Sequence, residues 1–257
     1  MDPLAPQITA LHTQGRLRVW SMVITVFGDL VQHRGGQIST AQLGNILGRV
    51  GVEQGAVRTA LSRLGRDGWV QSERQGRTSL YRLSQQGLTR FAPATTRIYG
   101  APRDGQITRW AIALKISASG RQEATLTPAD QVGEGADCLV VGDLQTLSDS
   151  YRALLLSDDH RAALMALAHD ITALGKAHMP TPLDAAAARV LLIHRWRRIV
   201  LRFPEVPGDL MPRDAPMQDP RRSVAQAYRA LSPKAEAWMD RETIAGPEMA
   251  DALPARF

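Results

Sequence analysis

Along the first third of the chain, apolar positions recur at helical spacing and then give way to alternation. Between Thr9 and Arg34 they fall at Leu17, Trp20, Ile24, Phe27 and Val31. Intervals of three and four keep one helix face apolar, and Gly35-Gly36 is suited to end it. Ser39 or Thr40 is placed to cap a second helix, whose Leu43, Ile46, Leu47 and Val50 face a core. The spacing predicts a third helix from about Glu53 to Asp67, stopped by Gly68. Trp69–Glu73 and Thr78–Leu83 then alternate around Arg74-Gln75-Gly76-Arg77, which predicts a hairpin. Ser84 to Tyr99 reads as one more helix, which Pro93 should break or kink. Gly100-Ala101-Pro102-Arg103-Asp104-Gly105 has the composition of a linker. Beyond it, Trp110–Ile116 and Cys138–Val141 read as strands, with Arg152–Leu156 as a third. From His160 the pattern is helical again, with Leu164, Leu167, Ile171 and Leu174 on one face. Pro180 and Pro182 interrupt it, and further helices follow over Leu183–Phe203, Arg221–Leu231 and Pro233–Glu242. The expected fold class is α+β, mainly helical. It divides into residues 1–100, a small α+β module over 101–157, and a helical domain over 158–257.

Helix, helix, helix, hairpin is the order of a winged helix-turn-helix, so the third helix is the one to inspect for nucleic-acid contact. Val57, Ala60, Leu61 and Leu64 fall on its inner side. Projected at about 100° per residue, Gly55, Thr59, Ser62 and Arg66 lie opposite, flanked by Arg58 and Arg63. That face offers hydroxyl and guanidinium donors and holds no carboxylate; the acids Glu53 and Asp67 are at the helix ends. Such a face suits a phosphate-lined major groove, whereas an ordinary solvated face mixes Glu with Arg. At the hairpin tip, Arg74 and Arg77 are positioned to reach the adjacent minor groove or backbone, or to serve solubility alone. Ser79 and Tyr81, on the second strand, complete the expected DNA surface.

Charge sharpens this division. Residues 1–100 carry twelve Arg and no Lys against five acids, a net of +7, whereas residues 101–257 sum to −1. A basic head on a near-neutral body fits a phosphate-binding module joined to a regulatory or oligomerising one. The chain holds one cysteine, Cys138, which excludes an intramolecular disulfide and a thiolate-rich zinc site. The amino terminus lacks the pattern of a secretory signal, and the longest apolar stretch is interrupted by Ser21, Gly28 and Asp29. The expectation is a cytoplasmic protein, nucleoid-associated when bound to DNA, with no membrane partner and no cofactor.

In the helix from Leu183 to Phe203, Leu192, Trp196, Ile199 and Phe203 form an apolar row, and Val190, His194, Arg197 and Leu201 an adjacent one. A His and an Arg on a partly buried row need partners. One reading makes this an effector pocket, with Arg197 or Arg198 meeting phosphate or carboxylate, Trp196 stacking on a ring and His194 beside them. The other has His194 and Arg197 bonding to carbonyls or to acids such as Glu205 and locking the domain. His194 has no second ligand at helical spacing, and His160, His169 and His178 are nine residues apart, so no metal site is expected.

Several stretches together resemble one family. They are Phe27-Gly28-Asp29 with Arg34-Gly35-Gly36; Ala56-Val57-Arg58-Thr59-Ala60-Leu61-Ser62-Arg63-Leu64; Gly68-Trp69; and Gly76-Arg77-Thr78-Ser79-Leu80-Tyr81. Downstream, Ile193-His194-Arg195-Trp196-Arg197-Arg198, Arg202-Phe203-Pro204, Leu210-Met211-Pro212 and Tyr228-Arg229-Ala230-Leu231 extend the match over nearly the full length. The chain resembles the PaaX-like family of bacterial repressors, named for the repressor of phenylacetic acid degradation. The resemblance implies a winged helix at the amino terminus, a central ferredoxin-like dimerisation module similar to a CRISPR-associated nuclease fold, and a helical carboxy-terminal domain. It also implies a homodimer that represses aromatic-catabolic operons and leaves operator DNA when an aryl-acyl coenzyme A thioester, typically phenylacetyl-CoA, binds.

The chain departs from that pattern in the middle. About twenty residues separate the first central strand from the second, so the crossover helices must be very short or missing and the module is an abridged one. Two other classes are weighed against the repressor: a winged-helix protein that binds DNA without sequence preference or binds RNA, and a metal-dependent nuclease. The first central strand, Trp110–Ile116, carries no carboxylate to hold an ion, and only Asp137 and Asp143 flank the second. An enzyme is therefore not expected.

Overall fold

A computed structural model describes residues 2–13, 17–242 and 256–257. The architecture is mixed α/β, predominantly helical, with two small antiparallel sheets. Its contacts group the chain into two compact units, where the sequence pattern suggests three successive modules. One unit comprises Met1–Pro102, Ala163–Phe203 and Pro220–Phe257; the other comprises Arg103–Ala162 and Pro204–Asp219. The helical carboxy-terminal segments thus share a core with the amino-terminal head.

In the first unit the single long helix expected from Thr9 to Arg34 is two: α1 (Ala5–Thr13) and α2 (Val19–Val26). The sequence carries Gly15 between them, a poor helix former that the apolar spacing alone overlooks. α2 runs on into a π-helical turn, Phe27–Val31, in which Gln32 N–H reaches back to Phe27 O at 2.9 Å. β1 (Gln37–Ser39) leads into α3 (Thr40–Arg49), where Ser39 and Gln42 form a capping box. α4 (Gln54–Arg66) buries Val57, Ala60, Leu61 and Leu64, as its spacing predicts. Gly68 (φ 72°) ends it, with Trp69 N–H on Leu64 O at 2.8 Å closing the last turn.

β2 (Val70–Gln75) and β3 (Thr78–Leu83) form the expected hairpin, and β1 adds to β3 in the order β1-β3-β2. Gln75 pairs with Thr78, leaving a two-residue loop of Gly76 and Arg77. Gly76 takes φ 60°, a value that an L side chain rarely adopts, which is why glycine opens this turn. α5 (Gln85–Tyr99) is continuous through Pro93, capped by Ser84 on Gly87 N–H.

α8 (Pro182–Arg202) runs through the middle of this unit, begun by a Thr181–Asp184 capping box with Pro182 in the first turn. Ala185, Ala186, Ala187 and Ala188 are each at most 1% exposed. Their small side chains let neighbouring helices approach closely, and α8 packs against α2, α3, α5 and α9 (Pro220–Glu242). α9 is one helix through Pro233, where the proline pattern suggests two. α7 (Asp158–Lys176) buries Leu164, Leu167 and Leu174, in line with its spacing.

The second unit holds β4 (Trp110–Ile116), β5 (Gln122–Pro128) and β6 (Cys138–Gly142) as an antiparallel sheet in the order β5-β4-β6. β4 and β6 match the expected strands. β5 was not expected; its Gln-Glu-Ala-Thr-Leu-Thr run is too weakly apolar to signal a strand by pattern, and pairing with β4 makes it one. The stretch from Arg152, expected as a strand, instead belongs to α6 (Asp149–Leu154), capped by Ser148. A Ser N-cap and an acid in the first turn outweigh the short apolar run.

Candidate nucleic-acid interface

α4 places its polar residues where the sequence pattern puts them. Arg58, Thr59, Ser62, Arg63 and Arg66 are all exposed, while the opposite side fills the core against α2 and α3. With Asp67 they line a shallow basin of about 770 Å³ along the helix. Arg63 is weakly engaged by Asp67 at 3.5 Å, and both side chains are about half or more exposed. Thr59 differs from expectation in one chemical respect. Its hydroxyl gives its proton to Gly55 O at 3.0 Å, so towards a partner the oxygen serves as an acceptor.

The hairpin supplies a second wall. In the β2–β3 register Ser72 stands opposite Tyr81 and Arg74 opposite Ser79, and cross-strand partners share a face. A groove of about 440 Å³ between α4 and that face is lined by Arg58, Ser62, Tyr81 and Ser72 among others. Arg58, Ser62 and Tyr81 are therefore brought together. Arg74 curls onto its own turn, donating to Gly76 O at 3.3 Å, and Arg77 is exposed at the loop tip. Ser79 is half-buried, and its carbonyl accepts from Thr40 Oγ1 at 3.4 Å. Ser72 went unnoticed in the sequence, although hairpin register pairs it with Tyr81.

The α8 residues are engaged within the fold. His194 is buried, and its Nδ1 lies 3.0 Å from Thr25 Oγ1. Thr25 gives its proton to Ser21 O at 3.0 Å, so Nδ1 of His194 is the donor in this pair. Burial, together with the nearby charge of Arg197, pushes His194 down to about 3 and keeps it neutral. Arg197 Nη1 donates to Ser21 O, Ser21 Oγ and Thr25 Oγ1 at 3.0–3.1 Å. Trp196 Nε1 donates to Ile98 O at 2.9 Å. Arg198 is exposed.

A charged cluster that the pattern of residues did not reveal lies behind α2. Asp29, at the π-helical turn, and Arg189, on α8, are both fully buried and paired at 3.0 Å. Arg189 Nη1 also reaches Glu236 at 2.6 Å, and Glu236 meets Arg34 Nε at 2.6 Å. Burial alone would push Glu236 up, but hydrogen bonds from His33 and Arg189 and the charge of Arg189 hold it below the usual carboxylate range. Tyr99 OH donates to Asp29 Oδ1 at 3.3 Å, and burial pushes Tyr228 up to about 12. An acid inside an otherwise apolar stretch, as Asp29 is, was the available sequence signal.

In the second unit, Asp137 accepts the Ile116 N–H at 2.7 Å and so caps the strand end. Among the described residues no three His, Cys, Asp or Glu side chains group as metal ligands, and no helix is long and apolar enough to cross a membrane.

Family models cover both ends of this arrangement. The PaaX-like protein model matches residues 18–87, which contain α4 and the hairpin, and the PaaX-like protein C-terminal domain model matches residues 143–241. The chain belongs to the PaaX-like family. Transcriptional repressor PaaX of Escherichia coli K12 is 28% identical over 278 aligned positions, spanning 91% of this chain and 86% of its own. Among solved structures, the uncharacterized protein Rv0674 from Mycobacterium tuberculosis matches at a TM-score of 0.50 and 19% identity, over 84% of this chain and 97% of that one. That likeness concerns the fold. In PaaX-like terms, the first matched segment holds the arginine-bearing face and the second holds α8 and most of α9.

Proposed function

We propose that this PaaX-type transcriptional repressor binds operator DNA through a winged helix made of α2, α3, α4 and the β2–β3 hairpin, and that an aromatic effector releases it. The observation that carries the reading is the α4 face: three exposed arginines and two hydroxyls, no acid among them, beside a groove shared with the hairpin. The arginines suit phosphate and guanine edges, and Tyr81 and Arg77 suit the adjoining backbone. The family resemblance supports an aryl-acyl coenzyme A thioester, phenylacetyl-CoA or a relative, as effector, and an aromatic-catabolic operon as target.

A homodimer would set two such heads about one DNA turn, or a multiple, apart. The β4–β6 sheet offers an apolar surface for the twofold contact, with Ile112 and Val140 paired across strands on one face and 47% and 59% exposed. A complete switch requires that the effector favour the DNA-free arrangement by roughly 5.5 kcal/mol.

The test is binding of the purified protein to its own upstream DNA, against a random duplex, titrated with phenylacetyl-CoA and with phenylacetate. Specific binding released by the thioester supports the whole reading. Specific binding that neither compound disturbs removes the aromatic effector and keeps the repressor. Equal affinity for both duplexes, with a steep salt dependence, replaces the repressor by a non-specific binder.

A further inference from the structure

Phe257 is held in the fold as a ligand would be. Its ring lies 5.7 Å from that of Tyr99 and 5.1 Å from that of Tyr228, inclined at 67° and 56°. The two tyrosines meet each other edge-on at 6.1 Å, and together they wall the small aromatic chamber between the end of α5 and α9 that the Phe257 ring fills. Phe257 is 8% exposed. Its N–H donates to Tyr99 O at 2.9 Å, and its main-chain oxygen accepts from Arg229 Nη2 at 2.7 Å. Arg229 is itself an exposed residue, so the ring is enclosed while the oxygen sits at the mouth. The backbone takes φ 55°, which phenylalanine rarely adopts. One donor of the cluster also remains unused: Arg189 Nη2 is buried without an acceptor among the described residues.

We propose that the Tyr99–Tyr228 chamber is the binding site for the aryl-acyl end of the effector, and that Phe257 is an internal occupant that the effector displaces. This rests on the effector-responsive reading given above. A flat ring takes the place of the Phe257 ring against both tyrosines, and an acyl oxygen takes the place of the Phe257 oxygen on Arg229. Whatever is joined to the acyl group leaves through the mouth beside Arg229. An aryl thioester and a free aryl acid share this chemistry. An unstrained ligand competes well here because the resident phenylalanine is bound through an unfavourable backbone conformation.

The displaced segment also carries a link to the DNA-binding head. Arg256 Nη1 donates to Asp29 O at 2.5 Å and lies 3.2 Å from Tyr228 OH, its Nη2 donates to Gly28 O, and its guanidinium stands 4.3 Å over the Tyr99 ring. Gly28 and Asp29 belong to the π-helical turn that continues α2, and α2 packs directly against α4. Withdrawing Arg256 frees two carbonyls of that turn, so occupancy of the chamber acts on the helix that positions the recognition face.

The experiment is calorimetric titration of the full chain and of Phe257→Ala with phenylacetyl-CoA, phenylacetate and, as a ring-free control, acetyl-CoA. Vacating the chamber should tighten binding of the aryl probe on the order of tenfold, because the internal competitor is gone. Phe257→Leu should fall between the two and serves if the Ala variant does not fold. Acetyl-CoA should not distinguish the proteins, and whichever aryl compound tightens identifies thioester or acid. Equal or weaker aryl binding by both Phe257 variants overturns the chamber while leaving the effector reading intact. Aryl binding by none of the proteins overturns both.

Discussion

Arginine dominates two regions of this molecule and does opposite work in them. On α4, Arg58, Arg63 and Arg66 stand in water, and the carboxylate of Asp67 lies 3.5 Å from one of them. Behind α2, Arg189 is fully buried and meets Asp29 at 3.0 Å and Glu236 at 2.6 Å. A solvated guanidinium contributes little to folding and keeps its charge available for phosphate. A desolvated one must be matched within the fold, and its loss or its partner's loss leaves a bare charge. The difference in solvent decides which arginines are left free to meet an anion and which hold the protein together.

The largest effect expected is on the buried side. Asp29→Ala leaves Arg189 beside an empty site and removes the acceptor of Tyr99 OH, so urea unfolding should show a loss of about 3–5 kcal/mol. A loss below about 1 kcal/mol would mean that the cluster relaxes into water, and the contrast with α4 would dissolve.

The exposed side should answer in the other coordinate. Arg58→Ala and Arg66→Ala should each weaken operator binding by about 1–3 kcal/mol and leave stability within about 0.5 kcal/mol. If either residue reads a base, discrimination at that position relaxes; if it holds a phosphate, all sequences weaken and the salt slope falls by about one. Unchanged operator affinity in both variants would remove α4 as the recognition helix.

The two regions were not equally legible in the sequence. α4 was readable because its burial is decided locally: Val57, Ala60, Leu61 and Leu64 recur at helical spacing, and the remaining positions must face outward. The Asp29 cluster joins residues 160 positions apart, and nothing in the spacing around Asp29 points to Arg189. α8 misled for a related reason. A helix buried on nearly every side has no polar face to orient it, so His194 and Arg197 could be read as pocket-lining or as internally bonded. β5 and α6 show the local limit. Tertiary pairing made a strand from a weakly apolar run, and a serine cap made a helix from a stretch expected to be extended.

His194 provides a pH-dependent probe of the buried side. In the fold it is held down to about 3 by burial and by Arg197, whereas the unfolded chain titrates it near its ordinary value of 6.5. Its folded value is depressed, so acidification through 6.5 protonates the unfolded state alone and stability falls with pH. Between pH 7.5 and 5.5 the loss attributable to it should be about 1 kcal/mol. His160 is shifted down by burial as well, so the quantity to measure is the difference between wild type and His194→Gln by urea unfolding at both pH values. Parallel losses in the two proteins would show that His194 is not desolvated.

The smallest effect expected concerns an ion pair on the exposed side. Arg63 and Asp67 are one helical turn apart at 3.5 Å, with side chains 64% and 49% exposed. An exposed i,i+4 pair is worth about 0.3–0.5 kcal/mol, so Asp67→Asn should barely move the unfolding midpoint. Its effect on DNA should have the opposite sign to that of Arg58→Ala. Removing the carboxylate next to Arg63 deletes a repulsion towards phosphate and releases the guanidinium, so affinity for the operator and for a random duplex should rise together, by a few-fold at low salt and less at high salt. A rise confined to the operator would place Arg63 on a base edge. No rise in either duplex would put this end of α4 away from the DNA and restrict the contact surface to Arg58, Ser62 and the hairpin groove.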